Sequence, residues 1–339
     1  RSYMSNWLGG GSCYEPSIEG KKVPIELSLA VHSDAGFDSN GGLIGSLAIC
    51  TTNFNEGKLN SGISRLISKD FANRLLNGFD RDLPAIANRW ARRYLWDRNY
   101  SETRNPEVPS AIIETLSHQN FPDMILGQAP NFKFAMARSL YKTVTRFINE
   151  GHGRPTIIQP LAPHNFKVEF TDNSHIRLAW KATEDNLEPS AYPNAYVVYT
   201  AIGASGYDNG TIVKKPFYDL QIVPGIQYNF KVTAINRGGE SFPTEELSVY
   251  RQEGATKNIL VVNGFNRLSG PAVIDNGEQQ GFELDKDPGV SYGLTAGWNG
   301  KQQEFSVSRM GIEGPGGLGY SGDELAGHFI MGNDFSAVK

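Results

Sequence analysis

The hydrophobic period of this chain changes twice, and each change marks a different architecture. In residues 25–31, Ile25, Leu27, Leu29 and Val31 alternate with Glu26, Ser28 and Ala30, the period of two that a half-buried strand imposes. The run ends in His32, Ser33, Asp34, Ala35 and Gly36. His32 falls in the alternate set, on the face opposite Leu27, Leu29 and Val31. A second apolar run, residues 43–50, follows a Gly-Gly turn and is expected to neighbour the first in a sheet. From Ser61 the spacing becomes four: Ile63, Ile67, Phe71, Leu75, Phe79 and Leu83 form one stripe of a long amphipathic helix. Pro106 and Pro109 then bracket a break before SAIIETL, residues 110–116, a short buried strand carrying Glu114. Asn131 as N-cap, the stripe Phe132, Met136, Leu140, Val144 and Phe147, and Gly151 beyond it mark a last helix. Residues 1–154 therefore read as an α/β domain, with GHGRP at 151–155 as its linker.

Beyond residue 156 the helical stripes stop. Short runs such as FKVEF, IRLAW, AYVVYT and YNFKVTAIN alternate with turns rich in Pro, Gly, Asn and Asp, the pattern of an all-β sandwich over residues 157–253. KNILVVNGF, residues 257–265, opens a third segment, 257–339, read as a partial α/β domain. It holds no long helical stripe and is too short to close a doubly wound sheet, so C-terminal truncation is expected. GPGGLG, residues 314–319, matches a dinucleotide-loop spacing, yet follows no clear strand and opens no helix, and reads as a loop.

The formal net charge is −4 with 20% charged residues, which argues against a general nucleic-acid binder. No apolar run is long enough to span a membrane, and any signal peptide is expected to lie outside the chain. Cys13 and Cys50 are the two cysteines; a bridge between them and two free thiols both remain open.

A histidine at a strand end points into the space beyond the sheet, where it can serve as metal ligand or base. A carboxylate set among Ile112, Ile113 and Leu116 is costly to bury without a partner or a role. His32 and Glu114 are thus expected to share one site.

HSDAG at 32–36, with VPSAIIETLSHQNFPDMILGQAPNFKFAMARSLYKTVTRFI at 108–148, resembles the zinc-dependent N-acetylmuramoyl-L-alanine amidases. The second string resembles their strand ending in the catalytic glutamate, an Asn/Asp segment and a closing helix. LQIVPGIQYNFKVTAINRGGES at 220–241, with Trp180 as a core tryptophan, resembles the fibronectin type III domain. The three-part layout is similar to secreted Bacteroides-type proteins labelled xanthan lyase. The resemblance implies an amidase-like domain lacking its N-terminal part, a zinc ion held by His32, and Glu114 as catalytic carboxylate. It implies further zinc ligands upstream of residue 1, hydrolysis of the muramoyl-alanine amide of peptidoglycan, and a secreted or periplasmic, cell-envelope location. Asp34 and His118 are expected to line the pocket. Trp96, Arg98 and Arg104, from an Arg- and Trp-rich stretch at 89–104, are expected to contact the glycan. Two other readings stand beside this one: a non-catalytic envelope or polysaccharide-binding protein, and a polysaccharide lyase.

Overall fold

The structure, a computed structural model, describes residues 3–16, 19–260, 270–283 and 286, and the backbone of 334–338. Two compact units emerge. One is built from residues 1–155 with those described between 268 and 291; the other from 156–267 with those described between 292 and 339.

The first unit carries α1 (Met4–Leu8), β1 (Ser28–Asp34), β2 (Ser46–Cys50), α2 (Leu66–Asp82), α3 (Pro84–Ala87), β3 (Arg92–Asp97), α4 (Ser101–Arg104), β4 (Ser110–Ser117), α5 (Phe121–Gln128) and α6 (Pro130–Gly151). The sheet runs β1-β4-β2-β3. β4 is parallel to β1 and antiparallel to β2, and β2 is parallel to β3. The expected pairing of the first two strands is therefore corrected: β4 lies between them. The near-continuous apolar runs of β2 and β4 suit strands covered on both faces, whereas β1, with Ser28, His32, Ser33 and Asp34, suits an edge.

α2 and α6 pack together, and α2 covers β2, β4 and β3. Phe71, Leu75, Leu76, Phe79, Phe132, Met136 and Phe147 meet Ala48, Cys50, Ala111 and Ile113 there. Because β1 lies at the edge, Leu27 and Leu29 reach this core while Val31, expected to be buried with them, is 56% exposed. α2 starts at Leu66, later than the stripe from Ser61 suggests, since Gly62 adopts φ +86°. α6 starts at Pro130, one residue before its expected cap, with proline in the first turn where its missing N–H costs nothing. Between the two helices Lys142 Nζ lies 2.9 Å from Asp82 Oδ1, both side chains buried. Both cysteines are free: Cys13 is exposed and Cys50 is in the core, so no bridge forms.

The second unit packs a three-stranded sheet of β5 (His164–Phe170), β6 (His175–Lys181) and β9 (Phe217–Gln221) against a larger one. The larger sheet contains β7 (Ala195–Ile202), β8 (Thr211–Val213), β10 (Gln227–Asn236), β11 (Gly239–Glu240) and β12 (Leu247–Tyr250). Alternate residues of both sheets interdigitate: Val168, Ile176, Leu178 and Trp180 meet Val198, Phe230, Val232 and Val249. Trp180 stands edge-on to Tyr196 at 5.3 Å. The Tyr228 hydroxyl accepts a bond from Val223 N (3.1 Å), and Asn236 Nδ2 donates to the carbonyls of Ile158 and Ser190. Those contacts account for the tyrosine and asparagine of the 220–241 string.

Of the third expected segment, β13 (Ile259–Leu260) and β16 (Asp334–Val338) extend the larger sheet beside β12. The hairpin β14 (Val273–Asp275) and β15 (Gln280–Phe282) belongs to the first unit, where Phe282 meets Phe121 at 5.3 Å. The rest of that segment, with residues 314–319, lies outside the described residues.

Candidate active site

Strand alternation divides the first unit's sheet into two faces. Leu29, Ala111, Ile113, Ala48 and Leu95 point into the helix-covered core. Ala30, Ile112, Leu47, Ile49 and Trp96 form a separate cluster on the other face. Two residues further along β1 and β4, His32 and Glu114 continue this second set, and they are register partners. Leu47 stands opposite Glu114 on its other side. The two residues that the sequence proposes for one site are therefore nearest neighbours across a parallel pair.

Glu114 Oε2 is buried and has no hydrogen-bond partner among the described residues. Burial pushes its carboxyl above the usual carboxylate range; the nearby His32 and Arg93 oppose that rise, and Asp34 and Glu102 add to it. A carboxyl so placed holds its proton to higher pH than a solvated one.

His32 keeps 44% of its side chain exposed and sets Nε2 3.2 Å from Glu102 Oε1. Two ligands on a tetrahedral zinc, with bonds of about 2.0–2.1 Å, lie about 3.3 Å apart. His32 and Glu102 have that spacing, which is equally that of the hydrogen bond or ion pair they make. Among the described residues, no third His, Cys, Asp or Glu brings a ligand atom within 4.8 Å of both.

Asp34, at the end of β1, takes a 2.6 Å bond from Arg93 Nη1, which comes from the opposite edge strand. Asp34 is thus an ion-paired group at the end of β1. His118 follows β4, donates its N–H to Asp34 O (3.0 Å) and places Nδ1 3.2 Å from Ser33 Oγ. It braces the strand end, its ring turned to Ser33 and not to Glu114.

The Arg- and Trp-rich stretch is split between β3 and α4. Trp90 packs at 5.0 Å on Phe132 in the core, while Trp96 joins the face that carries Glu114. Trp96 lies 4.8 Å from the Tyr94 ring and beneath the Arg98 guanidinium at 5.4 Å. Arg104 bonds Asn99 in its own loop and does not join that cluster.

Three residues not assigned to the site from the sequence stand by it: Glu102 and Arg93, whose charges act on Glu114, and Asp123. Asp123 is fully buried and accepts from Ile44 N (2.9 Å), Gly45 N (2.8 Å) and Ser117 N (3.2 Å), as well as from Asn120 Nδ2. It clips the end of β4 to the loop before β2, which fixes the strand bearing Glu114. The Asn-x-x-Asp spacing of Asn120 and Asp123 was the available signal; Glu102 had none beyond its acidity.

A scan against known protein families finds no match, and none of the curated proteins matches. Among solved structures the chain is similar to FN3tt, at 24% identity and TM-score 0.24, over 28% of this chain and 97% of that one. It is similar to a myokine structure at 18% identity and TM-score 0.24, over 27% of this chain and 97% of that one. It also matches titin kinase with its flanking domains, at 21% identity and TM-score 0.23, over 26% of this chain and only 16% of that one. The chain is a mixed α/β protein with several sheets, and its weak neighbours are fibronectin type III-like domains.

Proposed function

We propose that the first unit is a zinc-dependent amide hydrolase acting on peptidoglycan, at the bond between the muramoyl lactyl group and L-alanine. One observation carries the reading: His32 and Glu114 are register partners on parallel strands, where Glu114 keeps a buried oxygen with no partner among the described residues. His32 would hold the metal through Nε2, with Glu102 as a second donor 3.2 Å away. A bound zinc supplies an activated water near neutral pH and polarises the amide carbonyl. Glu114 Oε2 accepts the water's proton and returns it to the departing amine nitrogen, a role its raised pKa suits. Trp96 and Tyr94 offer ring faces to a sugar, and Arg98 a cation to a peptide carboxylate. The sandwich serves as spacer or docking surface, and an envelope setting follows from the substrate.

Muropeptide release from purified peptidoglycan, with zinc supplied, tests this. Glu114→Ala should lower turnover by roughly 10²–10⁴, and His32→Ala should lower turnover together with bound zinc. Unchanged turnover in both variants would overturn the assignment. Glycan binding without product would favour the non-catalytic reading, and an unsaturated uronic product the lyase.

A further inference from the structure

A second cluster of ligand-type side chains lies away from His32 and Glu114. Cys13 Sγ is 3.4 Å from Glu26 Oε2, and His152 Nε2 is 3.2 Å from Glu26 Oε1. The three ligand atoms lie within 4.8 Å of one another, the one such group among the described residues. They come from three separate segments, the N-terminal loop, the residue pair before β1 and the C-cap of α6.

Each donor is held by its own local structure. Ser12 Oγ accepts from the N–H groups of Tyr14 and Glu15, closing a turn around Cys13. Tyr14 is buried and stacks on Phe147 of α6 at 6.5 Å, anchoring that turn against the helix. His152 donates its backbone N–H to Ile148 O and Asn149 O at the helix end. Glu26 and His152 are partly covered, with side chains 18% and 24% exposed, and Cys13 faces solvent. One thiol, one carboxylate and one imidazole form a donor set suited to a borderline cation such as zinc. On a tetrahedral zinc, with bonds of about 2.0 Å to N and O and 2.3 Å to S, neighbouring ligand atoms lie about 3.3–3.6 Å apart. The Cys13 and His152 spacings approach that range to different oxygens of Glu26, Oε2 and Oε1, and with one ligand atom per residue all three atoms lie within 4.8 Å, so binding draws them together by about an ångström.

The geometry points to a second metal site, in which Cys13, Glu26 and His152 bind a zinc-class divalent cation and tie the N-terminal loop to the end of α6. On binding, the Cys13 thiol gives its proton to solvent and its sulfur binds the metal; neutral His152 binds through Nε2 and Glu26 through a carboxylate oxygen. The fourth position opens to solvent on the Cys13 side. The site stands apart from the proposed hydrolase chemistry and depends on none of it.

Cobalt(II) reports on thiolate ligation directly. The chelator-treated protein titrated with cobalt chloride should develop a near-ultraviolet thiolate-to-cobalt charge-transfer band that is displaced by zinc, and in His32→Ala, which removes the proposed hydrolase site, the band should saturate at one equivalent per chain. Cys13→Ser should abolish the band. Glu26→Gln and His152→Ala should each weaken cobalt binding at least about tenfold. Cys50→Ala and His32→Ala should keep it. No band in the native protein, a band surviving Cys13→Ser, or native affinity in both Glu26→Gln and His152→Ala would overturn the site and leave a hydrogen-bonded triad. Cys13 is exposed, so its serine variant keeps the fold; thermal unfolding of each variant confirms this.

Discussion

His32 and Glu114 face the same side of two parallel strands at matched register, and Glu114 has an oxygen that is buried and, among the described residues, unpaired. A buried carboxyl with a raised pKa ties stability to pH with a definite sign. Below the ordinary carboxylate pKa of about 4.3, Glu114 is protonated in both folded and unfolded chains. As pH rises, the unfolded chain releases this proton first, and its stabilising contribution is lost through the folded pKa. Glu114→Gln removes that loss. It should raise Tm at neutral pH, and the gain should vanish at acid pH. Thermal scans across pH check this; a gain independent of pH would contradict the burial account.

Asp82 has the opposite sign. Burial alone would raise its pKa, but hydrogen bonds from Arg81 and Lys142 overcome that and hold it below the usual range. Its contribution is present above the unfolded pKa and is lost as pH falls through the folded one. Lys142→Met removes the buried ammonium while the Arg81 pairing remains, and should cost less than the about 3–5 kcal/mol of a fully unpaired buried charge, measured by urea unfolding. Adding Asp82→Leu should recover much of the loss, since a buried pair often stabilises no more than apolar side chains of the same size.

These contrasts show which parts of the molecule were legible beforehand. The period of two locates β1, the period of four locates α2 and α6 because each helix buries one continuous stripe, and an apolar run behind two prolines locates β4, which is covered on both faces. His32 and Glu114 can be paired because each is an ionisable residue in an apolar run; the expected strand-end positions are corrected, since β1 continues to Asp34 and β4 to Ser117. Strand order was not legible: β1 and β2 are neighbours in sequence, but only the balance of apolar cover places β4 between them. Val31 was misplaced for the same reason, since a pattern does not say where the helices stop. Glu102 and Arg93 reach the site from α4 and β3, across sequence distances that no local pattern encodes.

The two thiols should differ sharply in reactivity. Burial and the neighbouring Glu26 push Cys13 up to about 11, and burial, with Asp97, pushes Cys50 up to about 12. With metal removed, a disulfide reagent should label Cys13 slowly at neutral pH, faster by roughly tenfold per pH unit as thiolate forms. Cys50, enclosed by the core, should react only in denaturant. Thiol counts of one per native chain at alkaline pH and two per unfolded chain check this. Equal native rates would contradict the burial of Cys50.

In the sandwich, the Tyr228 hydroxyl bonds Val223 N at 3.1 Å and its ring stacks near Phe230 at 6.3 Å. Tyr228→Phe keeps the ring and removes the acceptor, so it should cost about 1 kcal/mol. Trp180→Ala empties the centre of the same core and should cost about 3–5 kcal/mol. Denaturant melts of the second unit rank the two; equal costs would mean that the hydroxyl, not the packing, dominates.

Asp123 gathers three backbone N–H groups and the Asn120 amide, and so holds the end of β4 against the loop before β2. Gly45, one of its donors, adopts φ +75°, and a Cβ there would lie 1.8 Å from Ala91 O, so the loop has no room to shift. Asp123→Ala removes a charged acceptor and leaves several buried donors unpaired, a loss of about 3 kcal/mol. The loss should concentrate where the clip acts. Hydrogen exchange should accelerate at Ile44, Gly45 and Ser117 well before the core amides of α2 and α6 are affected. Turnover should fall with it, because Glu114 lies three residues before Ser117. Asp123→Asn keeps one carbonyl acceptor and should fall between wild type and alanine; a variant as stable as wild type would show that the clip is not what fixes the strand.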